Sequence, residues 1–416
     1  MGKGTGNCLS ADGKASGQGP GRFLPYGRQA VDEEDIAAVV EVLRSDWLTC
    51  GPAVERFESE LAAACGAEHA VAASNGTAAL HLAMMAAGVG PGDRVLTCAN
   101  TFLASANAAE YVGAAADFAD MDPETRCMSL ETLKAAWKPD VKAVVAVDYA
   151  GYPCATKEMA EYVHRRGAIL VEDACHAIGS ARDGYKVGGL PWVDMTIFSF
   201  HPVKTLTTGE GGAILARDKG LADSCRKNRS HGMERPMPGE KAERPYAMER
   251  PGYNYRLTDL QCALGIAQLR KLGAFVSRRR QIVDRYNRAF EGLPHVKTPR
   301  APGETSVAWH LYALGIDFAE LGTSREEVAG RLKAEGIGTQ IHYYPVHLQP
   351  YYAKKYGYGR GKCPAAEGWY EKALSLPLFP GMGDDEVQRT IEAVGRALRT
   401  GGGGNGGARR RRLYYL

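Results

Sequence analysis

Short apolar, β-branched runs alternate along this chain with segments of helical spacing. DRVLTCAN, KAVVAVDYAG, GAILVEDA, MTIFSF and GGAILA read as strands. LHLAMMAAG and ATKEMAEYVHRRG, lying between them, have the apolar spacing of crossover helices. Strands spaced by helices predict a largely parallel sheet covered on both faces, an α/β core from about residue 50 to about residue 280. The segment LTDLQCALGIAQLRKLGAFVSRRRQIVDRYNRAFEGL then reads as one long amphipathic helix, with Leu260, Leu264, Ala267 and Leu272 on its apolar stripe. After Pro299 the pattern changes to short strands, HLYALGI and TQIHYYPV, and to the helices REEVAGRLKAEG and DDEVQRTIEAVGRAL, which predicts a smaller α+β lobe. The expected division is an N-terminal arm and large domain over 22–280 and a small domain over 281–399. Residues 1–21 and 400–416, the latter holding Arg409 to Arg412, have the Gly-rich, polar composition of disordered segments.

Composition narrows the function classes. A chain of 416 residues with 45% hydrophobic content is long enough for one large core and a second domain. Its 51 basic and 48 acidic residues, a net charge of +3, give no electrostatic reason to expect nucleic acid or an anionic membrane as partner. No apolar run approaches the roughly twenty residues that span a bilayer. The polar N-terminus lacks the apolar stretch of a secretory signal, so a cytoplasmic protein is expected. The ten cysteines are scattered singly, without Cys-x-x-Cys or Cys/His spacing, and read as reduced thiols rather than metal ligands. Pro345 between His342 and His347 forbids the helix that would put two ligands on one face. No metal site is expected.

Three segments carry candidate chemistry. AVAASNGTAALHLAMMAAG places a strand-like run before Asn75-Gly76-Thr77 and begins a helix at once afterward. Free N–H groups at a helix start, with a glycine permitting close approach, suit a phosphate; an ordinary turn capped by Thr77 fits the same residues. GAILVEDACHAIGS sets Asp173 at the C-terminal end of a strand, the edge where open α/β sheets place ligands. A carboxylate there would keep a pyridine nitrogen protonated, or would cap the following turn. MTIFSFHPVKTLTTGEGGAILA places Lys204 in a Gly-rich loop between two strands, with Ser199 near enough to offer its hydroxyl to a phosphate. A desolvated lysine can form an imine and afterwards shuttle protons; an isolated loop lysine is otherwise a solvated charge. The glycines Gly88, Gly90 and Gly92 precede a strand rather than follow one, so they are turn residues and not a dinucleotide fingerprint.

Taken in order, SNGTAAL, TFLAS, VEDACHAIGS, FSFHPVKTLTTGEGGAI, GYNYRLTDLQCALGIAQL and HYYPVH resemble the DegT/DnrJ/StrS family of pyridoxal 5'-phosphate (PLP) dependent sugar aminotransferases, from about Leu24 to about Leu398. The resemblance implies the type I PLP-dependent transferase fold, with a mostly parallel seven-stranded sheet. It implies that Lys204 holds PLP, that Asp173 partners the pyridine nitrogen and that Phe102 stacks on the ring. Gly76, Thr77 and Ser199 would cradle the phosphate, and His176 would lie near the ring's 3-oxygen. Asn254 would reach the phosphate of a neighbouring subunit, making the enzyme a homodimer with shared sites. Lys204 argues against the dehydrating branch, which carries histidine there. LPYGRQAVDEEDIAAVVEVLRSDWLTCGPAVERFE resembles the subgroup that aminates C4 of UDP-linked 4-keto-6-deoxy-N-acetylhexosamines on the way to pseudaminic acid, with glutamate as the expected donor. A cyclitol aminotransferase using glutamine and a non-catalytic PLP-binding regulator are the competing functions. His342, Tyr343 and Tyr344 either face the sugar nucleotide or pack within a small-domain strand.

Overall fold

The computed structural model describes residues 23–234, 244–248 and 250–399. The two terminal segments expected to be disordered lie outside the described residues. Seven strands form the central sheet: β1 (His69–Ala73), β2 (Arg94–Cys98), β3 (Ala115–Ala119), β4 (Val141–Val147), β5 (Ile169–Asp173), β6 (Met195–Ser199) and β7 (Gly212–Ala216). Their spatial order is β1-β7-β6-β5-β4-β2-β3. β3, β2, β4, β5 and β6 are mutually parallel, and β7 runs antiparallel to both of its neighbours. This is the expected α/β sheet. The sequence reading passed over AADFA at β3, where alanines and a central aspartate give little strand propensity. That aspartate, Asp117, is buried and paired with Lys138, Lys362 and Arg94.

Helices cover both faces, so the strands are apolar on both sides instead of alternating. Helix Gly76–Ala86 shows the same effect, with buried residues around nearly its whole circumference. Each parallel strand ends at one edge of the sheet, and the turns after β1, β2, β5 and β6 all open there.

A second apolar core lies in the C-terminal lobe. It is built on an antiparallel sheet of Val296–Lys297, Tyr312–Ile316 and Ala373–Leu376, covered by helices Arg325–Ala334 and Asp384–Leu398. The bridging segment is two helices, Asp259–Arg270 and Leu272–Phe290, broken at Lys271. Lys271 turns its ammonium onto Asp32 and Asp35 of the N-terminal helix, which favours the break. The predicted single stripe is also replaced. The first helix is buried on most sides, through Cys262, Ala263, Ile266, Ala267 and Leu269, while Leu260, Leu264 and Leu272 are only half-buried. TQIHYYPV does not form the predicted strand. It keeps a single bridge, Gln340 to Ser375, then runs back to the large lobe, where the Tyr343 N–H meets Asn100 Oδ1 and the Val346 N–H meets the Ala99 carbonyl. Pro345 cannot donate to a ladder, and these bonds to the large lobe take its neighbours' donors.

The two lobes meet beside the end of β4. Ala150 adopts a left-handed conformation with φ of 58°. Its carbonyl accepts from the His310 N–H at 2.9 Å, and the Gly151 carbonyl accepts from Ser180 Oγ at 2.7 Å. Gly151 has φ of 106°, and a Cβ there would overlap the Ala308 carbonyl oxygen. Gly151→Ala is therefore expected to lose more than about 2 kcal/mol of stability, from strain and the clash together. Urea unfolding checks this; an unchanged midpoint would mean the junction yields.

Candidate functional site

The turns at the sheet's carboxyl edge enclose a cavity of about 1030 Å³. Of the residues singled out from the sequence, Gly76, Thr77, Phe102, Asp173, His176, Ser199 and Lys204 all line it. Asn254 does not. It stands exposed in an extended segment bridged to Ser230.

Lys204 follows β6 and is anchored by its N–H to the His201 carbonyl at 2.9 Å. Its amine makes no hydrogen bond or ion pair among the described residues. Burial pushes its pKa below the ordinary lysine value, against the opposing pull of Cys175 and Asp173. Three imidazoles, His176, His310 and His342, line the same cavity. Burial holds all three below the usual histidine range, with the Lys204 charge adding to it, and His342 falls to about 3. The three rings are neutral at physiological pH.

Asp173 is the last residue of β5 and only 6% exposed. Its Oδ1 accepts from the Cys175 N–H at 3.3 Å, and its Oδ2 accepts from Ser105 Oγ at 2.6 Å. Ser105 lies 2.7 Å from Thr101 Oγ1, and since its own proton goes to Asp173 it accepts from Thr101. A Thr101 to Ser105 to Asp173 chain thus fixes the carboxylate while leaving it room for a further donor. Ser105 stood in the motif TFLAS but was not singled out. It sits one helical turn after Thr101, so the logic that placed Asp173 at the carboxyl edge could have found it.

Helix Gly76–Ala86 starts directly after β1. Asn75 caps it through the Ala78 N–H at 2.8 Å, which leaves the Gly76 and Thr77 N–H groups without partners among the described residues. Thr77 is therefore not the cap. A Cβ on Gly76 would stand 3.0 Å from Ser199 Cβ and 3.3 Å from Cys175 Sγ, so glycine lets the helix start approach the end of β6. The result is a small cradle of N–H donors and the Ser199 hydroxyl, the arrangement that binds phosphate. Phe102 is 59% exposed, and its ring centroid lies 6.2 Å from that of Tyr343. Tyr343 and His342 line the cavity; Tyr344 packs instead on Tyr370 outside it.

A model of the DegT/DnrJ/EryC1/StrS aminotransferase family matches residues 29–395. The chain belongs to that family. It is 42% identical over 376 residues to the spore coat polysaccharide biosynthesis protein SpsC of Bacillus subtilis, covering 89% of this chain and 96% of that one. Among solved structures, Helicobacter pylori PseC, an aminotransferase involved in the biosynthesis of pseudaminic acid, superposes with a TM-score of 0.84 at 28% identity, covering 91% of this chain and 99% of PseC. A Streptococcus pneumoniae protein described as a sugar aminotransferase, solved in its PLP form, matches with a TM-score of 0.82 at 28% identity over 90% of this chain and 98% of its own. The DegT family member described here is accordingly a PLP-dependent sugar aminotransferase of the type I transferase fold.

The residues present fit PLP. An unpaired buried amine, a fixed carboxylate with acceptor capacity to spare and a phosphate-sized cradle open on one cavity. Removing the Ser105 hydroxyl takes a charge-assisted hydrogen bond from Asp173, worth about 1.5–3 kcal/mol. Ser105→Ala is expected to weaken PLP binding by about tenfold or more. A fluorescence titration of the apo-protein checks this; an unchanged Kd would show that Asp173 is fixed without it.

Proposed function

We propose that this family member transfers the amino group of glutamate to C4 of a nucleotide-linked 4-keto-6-deoxy sugar, with Lys204 as the cofactor-holding and proton-carrying residue. The observation that carries the reading is the half-buried Lys204, whose amine makes no hydrogen bond or ion pair among the described residues and shares a cavity with Asp173. A lysine so placed is neutral at lower pH than a free one, and is therefore a nucleophile and a base.

When bound, PLP supplies an electron sink for the carbon that loses its proton. Asp173, held by Ser105 and Cys175, would partner the pyridine nitrogen and keep it protonated. The Gly76 and Thr77 N–H groups and Ser199 Oγ would hold the phosphate, and Phe102 would stack on the ring. Lys204 Nζ takes the proton from the amino-bearing carbon of the donor and later returns it on the sugar side. Desolvation by the cavity walls keeps that amine neutral at a lower pH than a solvated lysine, and so available to accept the proton.

The size of the cavity supports a large acceptor. About 1030 Å³ is at the upper end of the space that ligand pockets offer, enough for cofactor and sugar together. The names of SpsC and PseC place those relatives in polysaccharide and pseudaminic acid biosynthesis, which supports a deoxy amino sugar as the product. A UDP-linked N-acetylhexosamine is the acceptor we favour. The exposed position of Asn254 supports a homodimer in which it completes the partner's phosphate site. We further propose a cytoplasmic enzyme; among the described residues, no helix is long and apolar enough to cross a membrane.

Purified protein with PLP is expected to show a visible band that bleaches with glutamate and returns with a UDP-4-keto-6-deoxy-N-acetylhexosamine. A band that neither compound changes would contradict the donor and the acceptor together. Lys204→Ala is expected to lose at least about 10³-fold in turnover, the scale of a lost general base and nucleophile. Lys204 also fixes the pH response. Only the neutral amine captures PLP, and its pKa is lowered, so capture is expected to accelerate with rising pH and level off below the ~10.4 of a free lysine. Stopped-flow mixing checks this; a plateau only above that value would contradict the desolvation.

A further inference from the structure

Tyr343 was left between two roles by the sequence, and the hydrogen bonds around His176 decide between them. The Ala150 N–H points at His176 Nδ1 from 3.3 Å, so that nitrogen accepts. A neutral imidazole has one proton, which then sits on Nε2. Nε2 lies 3.2 Å from Tyr343 Oη, so His176 donates and Tyr343 accepts. The Tyr343 hydroxyl proton is left over, and among the described residues it has no acceptor.

Four contacts hold this arrangement. Ala150 is the left-handed residue at the lobe junction, so its N–H is aimed by the backbone rather than by a mobile side chain. The His310 ring lies against His176 with centroids 4.4 Å apart. The Tyr343 backbone is tied to Asn100, and its ring lies edge-on to Tyr149. Burial, with Tyr149, Tyr26, Asp173 and Cys175 adding to it, keeps the phenol protonated well above the ordinary tyrosine range.

We infer that Tyr343, aligned by His176, is the hydrogen-bond donor to an oxygen at the reacting end of the cavity, the end where the family resemblance placed His176 itself. A buried hydroxyl with no acceptor costs free energy until an oxygen meets it. Two oxygens have the required chemistry: the phenolic 3-oxygen of PLP and the carbonyl oxygen of the keto sugar. The inference rests on the reading that PLP and a keto sugar share this cavity.

Tyr343→Phe keeps the ring and removes only the hydroxyl. If the acceptor is the cofactor oxygen, the pH midpoint of the visible band of the PLP-loaded variant rises by about one unit, because the anionic form has lost a donor. If the acceptor is the sugar carbonyl, that midpoint stays and the band bleaches with glutamate at the wild-type rate. Its return with the keto sugar then slows by about tenfold or more. Either result supports the inference and names the oxygen. A variant with wild-type midpoint and wild-type rates in both halves overturns it, as does one that only binds PLP more weakly, which would make Tyr343 a packing residue. If wild-type protein and PLP give no visible band, both this inference and the proposed function fall; a normal wild-type band with an unmoved variant removes this inference alone.

Discussion

The architecture of the site follows from burying one amine without giving it a counter-ion. A lysine ammonium in a water-poor cavity is costly, and proteins normally relieve that cost with a carboxylate in contact. Here Asp173 is oriented by Ser105 and Cys175 and makes no ion pair with Lys204, and the imidazoles in the same cavity are neutral. The amine therefore lowers its pKa instead of forming a salt bridge. The folded chain keeps an amine poised for chemistry, and the stability it forgoes is the cost of that readiness.

What permits this is the rigidity of the sheet edge. Asp173 and Ser199 end adjacent strands, while Gly76 begins the helix after β1, so the N–H donors and the carboxylate are placed by backbone, and the Lys204 loop follows directly on one of those strands. Such placement holds a site more precisely than loops do. The second lobe closes the opposite wall through His310, His342 and Tyr343, fastened at Ala150 and Gly151. A strained left-handed residue at that junction is tolerated because both of its polar groups are used, one toward His176 and one toward His310.

The sheet and most of its edge were legible in the sequence because they depend on local pattern. Apolar runs ending in Asp173 or preceding Gly76 announce both a strand and its ligand edge, and six of the seven strands follow directly from such runs. β3 was illegible because Asp117 interrupts it, and that charge is tolerated through Arg94, Lys138 and Lys362, which lie far apart in sequence. Ser105 was within reach of the same reasoning, since it follows Thr101 by one helical turn at the ligand edge, whereas His310 approaches His176 across the lobe junction, a relation with no local signature. The path of TQIHYYPV misled for the same reason, since its alternation suits a strand while its hydrogen bonds go to Asn100 and Ala99. Asn254 stays outside this chain's own cavity.

The central claim is that Lys204, and no other amine, holds the cofactor. Borohydride reduction of the PLP-loaded protein followed by peptide mass spectrometry tests it most directly. The account predicts a single pyridoxyl label on the peptide containing Lys204. A label on a different lysine, or a folded protein that binds PLP and takes no label, would contradict it.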